Sequence, residues 1–162
     1  MSKTLHPSAE FEELLQLASV WVEEQERIVL RDGIPLNNSQ LHHACLVGVA
    51  HPERVRVLNI AQIPIPEHPA LRALCDSTKA ITPRTIALSA RYGILIRTDH
   101  WCERELVVHE LAHTSQYERM GGVRPFLQQY MQECVTFGYP HGPMEQEAIA
   151  IAAKICGSND IR

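Results

Sequence analysis

The chain has 162 residues, 45% hydrophobic and 21% charged, with a formal net charge of −4, a composition that suits one domain with a real core. The mild acidity argues against nucleic acid as a main partner, because phosphate binding wants a basic surface. No apolar run nears the roughly 20 residues of a membrane span, the N-terminal residues Met1 to Pro7 lack the apolar core of a secretory signal, and the five scattered cysteines contain no CxxC pair. A cytoplasmic protein without membrane attachment is the expectation, with Cys45, Cys75, Cys102, Cys134 and Cys156 as reduced thiols buried as filler.

The first helix is predicted over residues 8–31. Ser8 caps it, and Phe11, Leu14, Leu15, Ala18, Trp21 and Val22 form an apolar stripe at helical spacing that ends at Asp32-Gly33. A second helix runs from about Asn38 to Val47, opened by Asn37-Asn38-Ser39. His42 and His43, adjacent on it, point about 100° apart and so share no metal; one is expected exposed and the other packed. Arg54 to Ile60 reads as a strand, and Ile63-Pro64-Ile65-Pro66 is extended but barred from a central strand by its prolines. Pro69 to Cys75 suits a short helix. Thr85 to Arg97 is the clearest strand signal, with Gly93 marking a hairpin or a bulge.

A helix from Asp99 to Gly122 follows, capped by Asp99 and ended by Gly121-Gly122, with Glu103, Arg104, Glu118 and Arg119 on its solvent side. A further helix is expected from Arg124 to Phe137, packing through Phe126, Leu127, Tyr130, Met131 and Cys134. The turn-rich stretch from Gly138 to Pro143 leads to a last helix that Pro143 opens and that ends at Cys156, before a frayed tail from Ser158 to Arg162. No repeat, linker or low-complexity tract interrupts the chain, so residues 1–162 are read as a single domain.

Chemistry concentrates at His109-Glu110-Leu111-Ala112-His113. Four positions apart on a helix, the two imidazoles project from nearly the same face and can hold one divalent ion, for which Zn²⁺ is the usual choice. Glu110, a quarter-turn round, reaches a metal-bound water rather than the metal, the position of a general base. A catalytic site needs a third protein ligand. Glu145 shares a helix face with Ala148, Ile149 and Ala152 and is the first candidate; Glu147, on a more mixed strip, and His141 follow. Gln116, one turn after His113, shares the histidine face, either supporting the ligands or facing substrate. The opposing reading is an amphipathic helix with two satisfied histidines and two glutamates that favour a helix start.

HELAH at 109–113, with Glu145-Gln146-Glu147-Ala148 opening a later helix, resembles the gluzincin branch of the zincin metallopeptidases, and is similar to the catalytic core of HtpX-type and ImmA/IrrE-type peptidases. The resemblance runs from the Thr85 strand onward. It implies a minimal zincin-like α+β domain, a small sheet packed on the helix with the HExxH motif, and one Zn²⁺ held by His109, His113 and Glu145. Glu110 then acts as general base on a zinc-bound water in peptide-bond hydrolysis, with a protein or peptide as substrate. Position 149 is Ile where HtpX-type proteins usually carry Asp, so the contact that orients a histidine must come from elsewhere. Tyr139 and His141 are the first candidates for the oxyanion donor, ahead of Tyr117 and Tyr130, and the Thr85–Arg97 stretch is the candidate edge strand for substrate. Against the enzyme stands a catalytically silent zincin-like domain with a structural metal and a regulatory protein partner, and beyond it a metal-free helical interaction module. The presence of Glu110 favours chemistry, since a structural metal has no use for a base beside it.

Overall fold

A computed structural model describes residues 8–101 and 103–157; the expectations for Met1–Pro7, Cys102 and the tail from Ser158 lie outside the described residues. The described chain is α+β and mostly helical. In order it forms α1 (Ala9–Asp32), β1 (Ile34–Pro35), α2 (Asn38–Val47), β2 (Arg56–Ile60), α3 (Pro69–Thr78), β3 (Ala87–Ala90), β4 (Gly93–Arg97), α4 (Arg104–Met120), α5 (Val123–Phe137) and α6 (Pro143–Gly157). The strands make one mixed sheet in the order β1-β2-β4-β3, with β2 and β4 parallel and both outer pairs antiparallel.

Alternation along β4 decides what each face of the sheet meets. Ile94 and Ile96 are fully buried on one side with Val57, Val107 and Leu111, against α2 and α4. Leu95 points the other way and packs with Val29 of α1 and Ile63. The sheet is thus covered on both sides, and a strand buried on both faces reads as a continuous apolar run, as Ile94-Leu95-Ile96 does. A third cluster joins Leu15 and Val22 of α1 to Tyr117 of α4, Phe126 and Met131 of α5 and Met144 of α6. Burying each such side chain contributes about 1.5–3 kcal/mol.

Local rules set most helix ends. Ser8 Oγ accepts the Phe11 amide, and Asn37 and Gln40 form a reciprocal capping box at α2. Gly121 ends α4 in the left-handed region at φ 94°. The start of α4 departs from expectation: Asp99 does not cap it. Residues Thr98–His100 form a 3-10 turn instead, and α4 begins at Arg104 with no side-chain cap. Asp99 is drawn away by Arg97, whose Nε lies 2.6 Å from its carboxylate, and His100 Nδ1 lies 2.6 Å from Glu103 Oε1.

Glu118 is also corrected, for it faces the fold rather than solvent. Its carboxylate accepts the amides of Ala50 and His51 and the Tyr92 hydroxyl, a charge-assisted set that ties α4 to the loop after α2 and to the hairpin. His42 is exposed and His43 buried, as the helix pattern requires. The thiols divide: Cys75 and Cys134 are buried, Cys156 is half-buried and Cys45 is exposed, so Cys45 is not core filler.

Thr85 to Arg97 resolves into a hairpin of β3 and β4 with Arg91 and Tyr92 at the turn. The left-handed residue there is Arg91, at φ 57°, not Gly93. Gly93 is needed for another reason: a Cβ on it would lie 2.9 Å from Val29 Cβ and 3.2 Å from Glu26 Cα, where α1 crosses the sheet. Glu26, buried on α1, holds the turn by accepting two bonds from Arg91 and one from the Tyr92 amide. No helix among the described residues is long and apolar enough to cross a membrane.

Candidate metal centre

Helix α4 runs through the middle of the molecule, and every residue from Glu110 to Tyr117 is buried. His109 and His113 stand one turn apart on it, ring centroids 4.9 Å apart and planes at 78°. The first turn of α6 brings Glu145 across to them. One carboxylate oxygen lies 2.7 Å from His109 Nε2 and the other 3.1 Å from His113 Nε2. Ala148 and Ala152, both buried, let α6 approach α4 closely enough for this. Glu133 of α5 fixes where α6 begins, by accepting the Met144 amide at 2.8 Å.

Gln116 determines which histidine nitrogen faces the carboxylate. Its Nε2 donates to the Met144 carbonyl at 2.9 Å, which turns its Oε1 to His113 Nδ1 at 2.8 Å. An amide oxygen only accepts, so Nδ1 carries a proton and Nε2 is the nitrogen that faces the centre, as an N–H toward Glu145 in the imidazolium and as a lone pair once a metal displaces that proton. This supplies for His113 the orienting contact that Ile149 cannot give. Tyr130 of α5 donates its hydroxyl to Glu145 Oε2 at 3.0 Å, and its ring centroid lies 5.9 Å from that of His113.

One ligand atom from each of His109, His113 and Glu145 lies within 4.8 Å of the others, a group able to hold a metal ion. Donors about 2.0–2.2 Å from a tetrahedral ion stand roughly 3.3–3.5 Å from one another, so the residues fit with small adjustments. The charge balance fits as well. Glu145 is 3% exposed; burial opposes its charge, yet hydrogen bonding to His109 and His113 holds it well below the usual carboxylate range. Burial likewise opposes charge on His113, but Glu145 and Glu110 outweigh it and raise the imidazole to about 9. The carboxylate therefore calls for a positive charge at this point, which a divalent ion supplies in exchange for protons. Glu110, buried and next to His109, is pushed up by desolvation, with both imidazoles opposing.

The centre lies where two hollows meet. A cavity of about 140 Å³ lies behind it, among α1, α3, β3 and α5. An open groove of about 590 Å³ lies in front, between β3, α4 and α6. Thr85, Ala87, His109, Glu110 and Tyr139 line both. β3 is an outer strand of the sheet, whereas β4 is interior, so only the first half of the Thr85–Arg97 stretch presents an edge.

Of the other candidates, Tyr139 stands on the shared wall, 40% exposed as a residue, and local desolvation followed by the carboxylates of Glu145 and Glu110 raises its hydroxyl above the ordinary value. His141 is exposed and lines neither hollow; its amide donates to the Gly138 carbonyl at 2.8 Å. Glu147 is turned outward, paired with Arg119. Tyr117 is enclosed, stacked on Phe126 with its hydroxyl on the Ser89 carbonyl. Sequence reasoning ranked Tyr130 behind Tyr139 and had no signal for Glu133, because a tyrosine or glutamate on a helix flank meets its partner only through packing. Comparison with protein-family models, with curated proteins and with solved structures finds no match.

Proposed function

We propose that this chain is a zinc-dependent peptidase of gluzincin type, in which His109, His113 and Glu145 hold the ion and Glu110 is the general base. The observation that carries this reading is the His/His/Glu donor set with buried Glu110 adjoining it, on a wall open to a groove. Structural zinc sites close their coordination with a fourth protein ligand, whereas this group has three donors, of which His109 also lines the open groove beside Glu110, and a position is left for water or substrate. A divalent ion bound there acts as a Lewis acid toward a carbonyl oxygen and makes water more acidic.

The rest of the work falls to the protein's own groups. Glu110 takes the proton of the attacking water and returns it to the leaving amine. Gln116 holds the His113 ring, and the Tyr130 hydroxyl holds Glu145, so the ligands need only small adjustments to meet the ion. β3, as an outer strand, offers backbone groups to an extended peptide, which is the substrate class this arrangement suits. Tyr139, which lines both hollows, is the candidate donor to the oxyanion.

Elemental analysis of protein purified without added metal, beside His113→Ala and Glu145→Ala, tests the ligand set; the expected result is about one zinc per chain, lost in both variants. Cleavage of a mixed peptide library by the parent and by Glu110→Gln tests the chemistry. Zinc without cleavage would favour a silent domain that docks a regulatory partner, and no zinc even after reconstitution would end the metallopeptidase reading.

A further inference from the structure

The open edge of β3 is shorter than the strand itself. Arg97 donates its amide to the Ile86 carbonyl at 2.9 Å, which makes Ile86 and Arg97 a hydrogen-bonded pair at the end of the antiparallel β3–β4 ladder. Backbone groups alternate sides along a strand. Leu88 and Ala90 therefore face β4 as well, whereas Thr85, Ala87 and Ser89 turn their N–H and C=O groups to the outer edge. A bond from outside the sheet agrees with this register: the Ser89 carbonyl accepts the Tyr117 hydroxyl of α4 at 3.3 Å. The outward direction is thus the side of α4, where the groove lies between β3, α4 and α6.

Both ends of this edge are already used. Beyond Tyr117, Thr114 of α4 donates to the Arg91 carbonyl at 2.7 Å, so α4 itself covers the strand from Ser89 onward, and Ser89 and Ala90 are buried. At the other end the Thr85 amide donates back to the Thr82 carbonyl at 3.0 Å. Ala87 lies between them. Half-buried, it alone on this edge keeps both its N–H and its C=O without a hydrogen-bond partner among the described residues. It lines the groove together with His109 and Glu110. A free donor and a free acceptor on one backbone residue, turned to a groove beside the metal donors, match the two groups of one peptide residue.

We infer that Ala87 is a one-residue clamp for the backbone of an extended peptide. A single peptide residue, antiparallel to β3, donates its N–H to the Ala87 carbonyl and accepts the Ala87 N–H, closing a ring of two bonds. The ladder stops there, because the Ser89 carbonyl and the Thr85 amide are committed within the fold. The clamped residue must carry an N–H, so proline is excluded from that position of the peptide. That the peptide is a substrate rests on the peptidase reading. Ala87 positions it and touches no reacting group.

The test takes heptapeptides selected from a displayed random library on the metal-free parent, and reads them by calorimetry and amide hydrogen exchange. In the free chain the Ala87 amide should be protected about tenfold less than that of Leu88, and a bound peptide should close the gap. N-methylation along the peptide should weaken binding about 10–100-fold at one position, where the Ala87 carbonyl is left unpaired, and little elsewhere. Ala87→Pro removes the outward N–H at a place where an edge strand tolerates proline, and should weaken binding about 10–100-fold. The N-methyl scan needs no variant and decides the matter if Ala87→Pro does not fold. An Ala87 amide as protected in the free chain as Leu88, peptides that leave its exchange unchanged, a scan without a single sensitive position, or no selected binder would each overturn the clamp. No metal or turnover enters these measurements. A clamp found in a parent that cleaves no peptide would refute the hydrolase alone, and cleavage by a chain whose exchange shows no clamp would refute the clamp alone.

Discussion

Glu110 and Gln116 both project from α4, yet their substitutions should fail in different ways. Glu110→Gln keeps the size and burial of the side chain and removes its basicity; zinc content and melting temperature should stay near the parent, while kcat falls by about 10²–10⁴-fold, read in a peptide cleavage assay. Gln116→Leu removes the acceptor that fixes the His113 tautomer and should weaken zinc binding by about 10–100-fold, read by competition with a fluorescent chelator. Glu145→Ala should abolish binding, and Glu147→Ala should leave it intact, because Glu147 pairs with Arg119 on the surface. A Glu147→Ala variant that lost zinc would refute the ligand assignment. His109, Glu110 and His113 were legible because their spacing lies within one helix. Gln116 was half legible, its face known but not its partner. The role of Tyr130 was hidden, since it depends on what a different element places opposite it.

Among the elements, the hairpin of β3 and β4 shows how one buried charge can hold a turn. Glu26 accepts from the Arg91 guanidinium and the Tyr92 amide, and Arg91 adopts a backbone conformation that a non-glycine residue rarely takes. Glu26→Ala strands that network and should cost about 1.5–3 kcal/mol, since the Arg91 guanidinium left behind is a third exposed, measured by urea unfolding. A loss under 1 kcal/mol would mean that the turn holds itself. The second helix offers a test by pH. Burial, with Arg104 and His42 nearby, holds His43 below its ordinary value near 6.5. The unfolded chain therefore takes the proton first, and stability is lost as pH falls through that value. In His43→Gln the decline in melting temperature from pH 7 to pH 5 should be shallower than in the parent. The bounds of α1, α2 and α5 followed from caps and periodicity, which are local. The start of α4 did not, because Asp99 had a stronger partner in Arg97 than in the helix amides.

For the whole molecule, the candidate centre bridges α4 and α6, so metal binding and global stability should be linked. Zinc at a hundredfold excess over its Kd contributes about 2.7 kcal/mol, and a chain of this size should lose about 5–10 °C in melting temperature on chelation. Glu145→Ala should show no chelator effect, and a parent equally insensitive to chelation would argue that these residues hold no ion. What the sequence determined by itself was whatever a single segment can encode: helix faces and most helix ends, the hairpin's place, the motif on α4, and an outward or inward bias for each glutamate of α6. Tertiary structure alone decided that β4 is interior and β3 an outer strand, that Glu118 turns inward, and that Glu145 lies between two imidazoles beside a cavity. The physical reason is range. Periodicity and capping act over a few residues, whereas meetings between distant residues are selected by the packing of several surfaces at once, which no one segment records.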